Sequence, residues 1–160
     1  HLLKNKGVRV FFDANGEALR AGLSDPPFLV NPDITETENY VGFSIHNYDD
    51  AKRAVLPFLR LGVEYVALSI DGLGLLLASQ QEMMLATPPK VSIRNVTGAG
   101  AALMAGMAYG VAGGMALREI APLGAAFRAV AVTTVSLASV KNSDVEAMLP
   151  RVEVRTVNVM

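Results

Sequence analysis

Short runs of β-branched, aromatic and other apolar residues alternate along this chain with longer stretches of helical spacing, and this alternation constrains the fold most. Buried strands are predicted at 8–12, 28–30 and 64–70. Helices are predicted at 17–23, from a start near Asp33 or Thr35, and at 49–61. Strands that alternate with helices in this way predict an α/β layered domain with a mainly parallel sheet.

The second half of the chain continues the pattern with helices that are richer in Gly and Ala. The predicted elements are a hairpin partner at 73–78, an edge strand at 83–86, a long helix from Gly100 that ends at Gly110, Gly113 and Gly114, a helix over 117–138, a short helix capped by Ser143 or Asp144, and a strand at 152–157. A length of 160 residues predicts one domain spanning 1–160.

Composition excludes several classes of protein. The formal net charge of −1 leaves no electrostatic footprint for nucleic acid or an anionic membrane. The chain has no cysteine, which excludes disulfides and thiolate zinc sites. The longest apolar stretch, 99–117, is dominated by Gly and Ala, which favours a buried helix over a membrane span. With no signal peptide visible, a cytoplasmic protein is expected. A hydrophobic content of 51% and an exposed sheet edge favour assembly with a second copy or with another subunit, and a homo-oligomer is expected.

The strongest local feature is the segment Asn95-Val96-Thr97-Gly98-Ala99-Gly100, which opens the long helix. Small residues allow a ligand to approach the backbone closely, and the first N–H groups of a helix lack partners within it. Such a turn is suited to a phosphate. A tight strand-to-helix turn with no ligand at all is the alternative that the residues leave open.

Flanking motifs make this segment more specific. Val96–Gly100, followed by Ala102–Gly106, resembles the C-terminal signature of the ribokinase-like (PfkB) carbohydrate kinases, T-G-A-G-D followed by small residues and A-G. The stretch 12–19 is similar to the D-x-S/N-G-x-A-L segment of hexose-phosphate kinases, of the 1-phosphofructokinase and tagatose-6-phosphate kinase types. Segments 28–36 and 68–74 resemble K-P-N-x-x-E and S-L-G-x-x-G, and 105–141 is also similar to pseudouridine kinases. The resemblance covers the second half of a family member, without the N-terminal sugar-binding half.

This resemblance implies a ribokinase-like three-layer α/β/α fold and transfer of the γ-phosphoryl group of ATP to the hydroxyl of a sugar or sugar phosphate. The residue roles it implies are an anion hole at Thr97, Gly98, Ala99 and Gly100, nucleotide contacts at Ser69, Gly72 and Gly74, and a Mg²⁺-associated pair at Asp33 and Glu36.

Four positions depart from the family pattern. Ala101 stands where the family has the aspartate that accepts the hydroxyl proton, Asp33 replaces Asn, Asn31 replaces Lys, and Asp71 replaces a Gly. A methyl group accepts no proton, so the chain is expected to be inactive alone. The alternative is a non-catalytic nucleotide-binding or interaction module. Asp71 either repels a phosphate or lies in a solvated turn, and Asp13 either caps a helix or faces a ligand.

Overall fold

The computed structural model describes residues 3–70, 74–136 and 139–158, with the side chain of Lys4 left out. The chain forms two compact units. The first comprises His1–Met83 with Asn158–Met160, and the second comprises Met84–Val157.

The first unit is a sheet with helices between its strands. Its elements are β1 (Phe11–Phe12), α1 (Gly16–Gly22), β2 (Leu29–Val30), α2 (Ile34–Val41), α3 (Tyr48–Arg60), β3 (Tyr65–Ile70) and β4 (Gly74–Ala78). The strands lie side by side in chain order, with β1, β2 and β3 parallel and β4 antiparallel to β3. The predicted α/β class and the predicted hairpin are confirmed, and the sheet is mixed.

The core of this unit follows from two residue periodicities. In β3 the consecutive residues Val66, Ala67 and Leu68 have no exposed surface, so both faces of this strand are buried. In α3 the buried residues recur at helical spacing, as in Val55, Phe58 and Leu59, and this face packs near β3. Burying a side chain such as Phe58 contributes about 1.5–3 kcal/mol.

The first strand is shorter and less buried than the sequence predicts. Only Phe11 and Phe12 pair with β2, and both are half-buried, whereas a buried strand was expected over 8–12. In the described sheet β1 has a neighbour on one side only. The guanidinium of Arg9 lies 5.0 Å from the ring centre of Phe28, a cation–π contact at the surface rather than a core contact.

The second unit is dominated by two packed helices. Its elements are β5 (Met83–Thr87, of which Met83 is counted with the first unit), α4 (Ala99–Ala112), α5 (Leu117–Thr133), α6 (Asn142–Met148) and β6 (Glu153–Val157), with β5 beside β6. Residues 83–86 are buried, so β5 has the burial of an interior strand and not of the expected edge strand. A Cβ atom at Gly106 of α4 would lie only 2.7 Å from the ring of Phe127 in α5, which shows how closely the helices approach.

Two helix boundaries differ from the prediction. Helix α5 ends at Thr133 and not at 138, because Thr134 is extended and its hydroxyl donates to the carbonyl of Ala131 at 2.8 Å. Helix α6 is preceded by Lys141 at the N-cap, so Ser143 and Asp144 lie inside its first turn. Among the residues described, no helix combines the length and apolar character needed to cross a membrane.

Candidate functional site

Polar residues follow the parallel strands of the first unit at one edge of its sheet. Asp13 comes directly after β1, Asn31 directly after β2, and the turn into β4 begins after β3. Because the three strands are parallel, their carboxyl ends meet at the same edge, where α/β sheets bind ligands. The backbone N–H of Asn31 donates to the carbonyl of Phe12 at 3.0 Å, which holds the first two segments together.

The predicted magnesium pair forms a reciprocal cap at the start of α2. The carboxylate of Asp33 accepts from the N–H of Glu36 at 2.7 Å, and the carboxylate of Glu36 accepts from the N–H of Asp33 at 3.0 Å. This is a capping box, which satisfies two N–H groups that a helix start leaves without partners. The helix start near Asp33 was predicted, but the reciprocal cap was not, although an Asp followed three residues later by Glu is its sequence signature.

Negative charge accumulates around Glu36. Burial raises the pKa of the Glu36 carboxyl above its ordinary value of 4.5, and the charges of Asp33 and Asp13 act in the same direction. The hydrogen bond with the Asp33 backbone opposes this rise. The charge of Asp13 therefore acts on Glu36. Asn15, and not Asp13, occupies the N-cap of α1, so the capping alternative for Asp13 is wrong.

The donor set is compatible with a hydrated magnesium ion and not with a dedicated metal cage. Over residues 3–70, 74–136 and 139–158 there is no group of three or more His, Cys, Asp or Glu side chains arranged to hold a metal. Asp33 is exposed and Glu36 half-buried, and each has an oxygen beyond the one used in the cap. Mg²⁺ is commonly bound through one or two carboxylates together with waters and substrate phosphates.

The predicted nucleotide turn is described only at its two sides. Ser69 lies near the end of β3 and is half-buried, and Gly74 begins β4 opposite Ile70. Gly74 has a φ of 111°, a backbone conformation that residues with a Cβ atom rarely adopt. Gly72 and Asp71 lie outside the described residues. Ser69 and Gly74 are thus brought to the same end of the hairpin, at the carboxyl edge of the sheet.

In the second unit, the start of α4 is open to solvent. Gly98 is the N-cap residue, with the left-handed φ of 81°, and the first turn contains no acidic side chain. Thr97 is exposed, and Gly98 and Gly100 are half-buried, so the predicted anion hole is not sealed in the interior.

Three amide groups at this start have no partner among the residues that the structure describes. The N–H of Ala99 donates to the carbonyl of Val96 at 3.1 Å, and that of Ala102 donates to the carbonyl of Gly98 at 2.9 Å. Within the described part of the chain, no acceptor is found for the N–H groups of Gly98, Gly100 or Ala101. Unpaired donors at a helix start that lacks an acidic residue are suited to a phosphate group.

The side chain at the expected base position is exposed and inert. Ala101 is the third residue of α4 and lies on its exposed side. Its methyl group can neither accept a proton nor bind a cation. The first turn of α4 therefore offers backbone donors alone, which can bind and orient an anion but cannot deprotonate an alcohol.

Comparison with known proteins gives a consistent picture. The profile of the pfkB family carbohydrate kinases matches residues 1–144. The 1-phosphofructokinase of Rhodobacter capsulatus is 32% identical over 126 residues, which are 79% of this chain and 40% of the relative. The 1-phosphofructokinase of Escherichia coli strain K12 is 28% identical over 156 residues, or 98% of this chain and 50% of the relative.

Solved structures agree at the level of the fold. The crystal structure of phosphofructokinase-2 from Escherichia coli in complex with fructose-6-phosphate superposes with a TM-score of 0.81 at 25% identity, and covers 92% of this chain and 47% of that one. The present chain therefore spans about half the length of the relatives that it matches.

Proposed function

Since this chain belongs to the pfkB family of carbohydrate kinases, we propose that it is the C-terminal, nucleotide-binding part of an ATP-dependent kinase that phosphorylates a sugar or sugar phosphate. The observation that carries the proposal is the open start of α4. The unpaired N–H groups of Gly98, Gly100 and Ala101 lie in the segment that matches the family's anion-hole motif.

The reaction moves one phosphoryl group. A sugar hydroxyl oxygen forms a bond to the γ-phosphorus of ATP, the bond from that phosphorus to the β–γ bridging oxygen breaks, and ADP leaves. The hydroxyl proton passes to a base. Positioning and charge stabilisation account for most of the catalysis of phosphoryl transfer, so backbone donors at the transferred group are central.

The proposed residue roles follow the family motifs that the chain resembles. In the second unit, Gly98, Ala99 and Gly100, with Thr97 before them, would hold the transferring phosphate through backbone N–H groups. In the first unit, Ser69, Gly72 and Gly74 would contact the nucleotide. Asp33 and Glu36 would hold Mg²⁺ through water, and this ion would supply positive charge against the phosphates.

Because the methyl group of Ala101 cannot accept the hydroxyl proton, we expect that this chain transfers no phosphate by itself. The test is an assay of ADP release with the purified chain, ATP, Mg²⁺ and a panel of sugars and sugar phosphates. We expect ADP release no faster than in the sugar-free control. Turnover that persists after contaminating kinases have been removed would defeat the proposal.

A second candidate function is a non-catalytic nucleotide-binding or interaction module. The exposed methyl group of Ala101 favours it, as do the departures at Asn31 and Asp71. The Ala101→Asp variant in a chain extended by the N-terminal half of a relative separates the two candidates. Sugar-dependent ADP release by the extended variant favours a kinase part, and its absence favours the module.

The proposal also covers the acceptor, the location in the cell and the assembly of the protein. The acceptor is proposed to be a small sugar or sugar phosphate, with no role for nucleic acid or membrane. We propose a cytoplasmic protein that forms homo-oligomers, and sedimentation at micromolar concentration tests the assembly. A purely monomeric profile would contradict it.

A further inference from the structure

The side chain of Asn95 makes two hydrogen bonds that join the turn before α4 to the residues just after α5. Its carbonyl oxygen accepts from the N–H of Thr97 at 2.9 Å. Its amide group donates to the carbonyl of Val135, forty residues later in the chain, at 3.0 Å. We propose that Asn95 is a positioning residue that sets the geometry of the phosphate-binding amides at Gly98, Gly100 and Ala101.

Backbone contacts reinforce the same connection. The N–H groups of Arg94 and Asn95 both donate to the carbonyl of Val132, at 2.7 Å and 3.2 Å. Val132 lies in the last turn of α5, where carbonyl groups have no partner within the helix. The segment before α4 is thus hydrogen-bonded to the last turn of α5. The Asn95 side chain adds one bond to Thr97 and one to Val135.

The bond to Thr97 determines which amides remain for a ligand. By accepting from Thr97, the Asn95 side chain forms a turn of the kind that Asn favours ahead of a helix. The next residue, Gly98, then takes its left-handed conformation. Without this bond the Thr97 N–H becomes a further free donor and the turn loses a constraint, so the three unpaired amides are no longer held in one arrangement.

This inference rests on the proposed function, since it assigns a role in the same phosphate site. A structural role of Asn95 and a positioning role predict different effects on ligand binding. If Asn95 only stabilised the unit, its loss would weaken the binding of phosphates and of an uncharged nucleoside alike. A positioning role predicts a selective effect on phosphate, because the side chain acts on the turn that carries the phosphate donors.

The test compares three variants of the whole chain. Asn95→Ala removes both bonds, and Asn95→Ser keeps a short acceptor for Thr97 but cannot reach Val135. Ser92→Ala is the matched control, since Ser92 is exposed in the same loop and makes no hydrogen bond to the described residues. Amide NMR spectra without ligand, and calorimetric titrations with ATP, tripolyphosphate and adenosine, are recorded for each.

We expect Asn95→Ala to move the amide signals of Gly98, Gly100 and Ala101 and to weaken ATP and tripolyphosphate binding about tenfold, with adenosine binding unchanged. The amide shifts and phosphate affinities of Asn95→Ser are expected to lie between those of the wild type and Asn95→Ala. If Asn95→Ala does not fold, the Asn95→Ser variant provides the test. Amide signals that coincide with those of the wild type would overturn the inference, and so would equal weakening of tripolyphosphate and adenosine.

Failure of the proposed function has a different signature. If the wild-type chain binds neither ATP nor tripolyphosphate, the proposed phosphate site is wrong. The ligand-free spectra then decide the role of Asn95 alone. Displaced signals at Gly98, Gly100 and Ala101 support its control of these amides, and coincident signals overturn it.

Discussion

Asp33 and Glu36 cap each other's backbone amides, with carboxylate-to-nitrogen distances of 2.7 Å and 3.0 Å. The two residues proposed to associate with magnesium are therefore also the two that cap the start of α2. This double role links stability to ligand binding. A substitution that removes either carboxylate from the proposed magnesium site also removes one of the two hydrogen bonds of the cap.

Replacing Asp33 by Ala is expected to destabilise the protein by about 0.5–2 kcal/mol, the usual loss for an N-cap residue. The physical cause is the N–H of Glu36, which loses its acceptor. Urea denaturation measures the change in the free energy of unfolding. Thr35→Ala is the control, because Thr35 is exposed in the same turn, and an equal loss in both variants would contradict the assignment.

The contribution of Glu36 to the free energy of unfolding is expected to fall as pH rises. Its folded-state pKa is raised above 4.5, so its stabilising contribution is fully present below that pH and is lost as pH rises through the folded pKa. Relative to Glu36→Gln, the wild type should therefore lose stability between acidic and neutral pH. Urea midpoints of both proteins across this range measure the difference, and parallel pH profiles would contradict it.

Asp13 is expected to contribute to this raised pKa through its charge. In Asp13→Asn the pKa of the Glu36 carboxyl should fall toward 4.5, because one of the neighbouring negative charges is removed. Carbon NMR of the Glu36 carboxyl group follows the titration directly. Asp49→Asn, which removes a charge that does not act on Glu36, is the control and should leave its pKa unchanged. A rise in the pKa of the Glu36 carboxyl after Asp13→Asn would contradict an effect of the Asp13 charge on Glu36.

Ala101→Asp is expected to stabilise the chain by about 0.3–1 kcal/mol, apart from any effect on catalysis. An aspartate in the first turn of α4 interacts favourably with the helix dipole, and this turn has no acidic residue. Ala105→Asp, one turn later on the same exposed side, should be neutral or destabilising. Thermal or urea unfolding compares the two, and equal effects would argue against a role of the helix start.

Gly106→Ala is expected to destabilise the second unit by about 1–3 kcal/mol. The added methyl group would lie 2.7 Å from the Phe127 ring and 2.9 Å from the carbonyl of Leu123, and this crowding exceeds the gain in helix propensity. Gly113→Ala, whose methyl group would meet its nearest atom at 3.5 Å, is the control for the loss of a glycine. An unchanged unfolding midpoint for Gly106→Ala would show that α4 and α5 can separate.

The order of strands and helices could be predicted because each element has a clear periodicity. The parallel strands and the β3–β4 hairpin are confirmed for this reason. Boundaries were harder to predict. The helical pattern of α5 continues past Thr133, but the hydroxyl of Thr134 bonds to the backbone and the chain turns, a local competition that apolar spacing does not reveal.

The motifs predict which residues belong to the candidate site, whereas the partners of these residues could not be predicted. The Asp13 carboxylate acts on Glu36 only because two parallel strands end side by side. Asn95 reaches Val135 across forty positions of sequence. Such contacts depend on tertiary packing, and a local pattern carries no information about them.

The most direct test of the account is a titration of the ¹⁵N-labelled chain with ATP and Mg²⁺, followed by amide NMR. We predict saturable shifts that are largest at Gly98, Gly100 and Ala101, with tripolyphosphate moving the same signals and adenosine leaving them in place. Absence of binding, or shifts confined to residues away from the start of α4, would contradict the claim that these backbone amides hold a nucleotide phosphate.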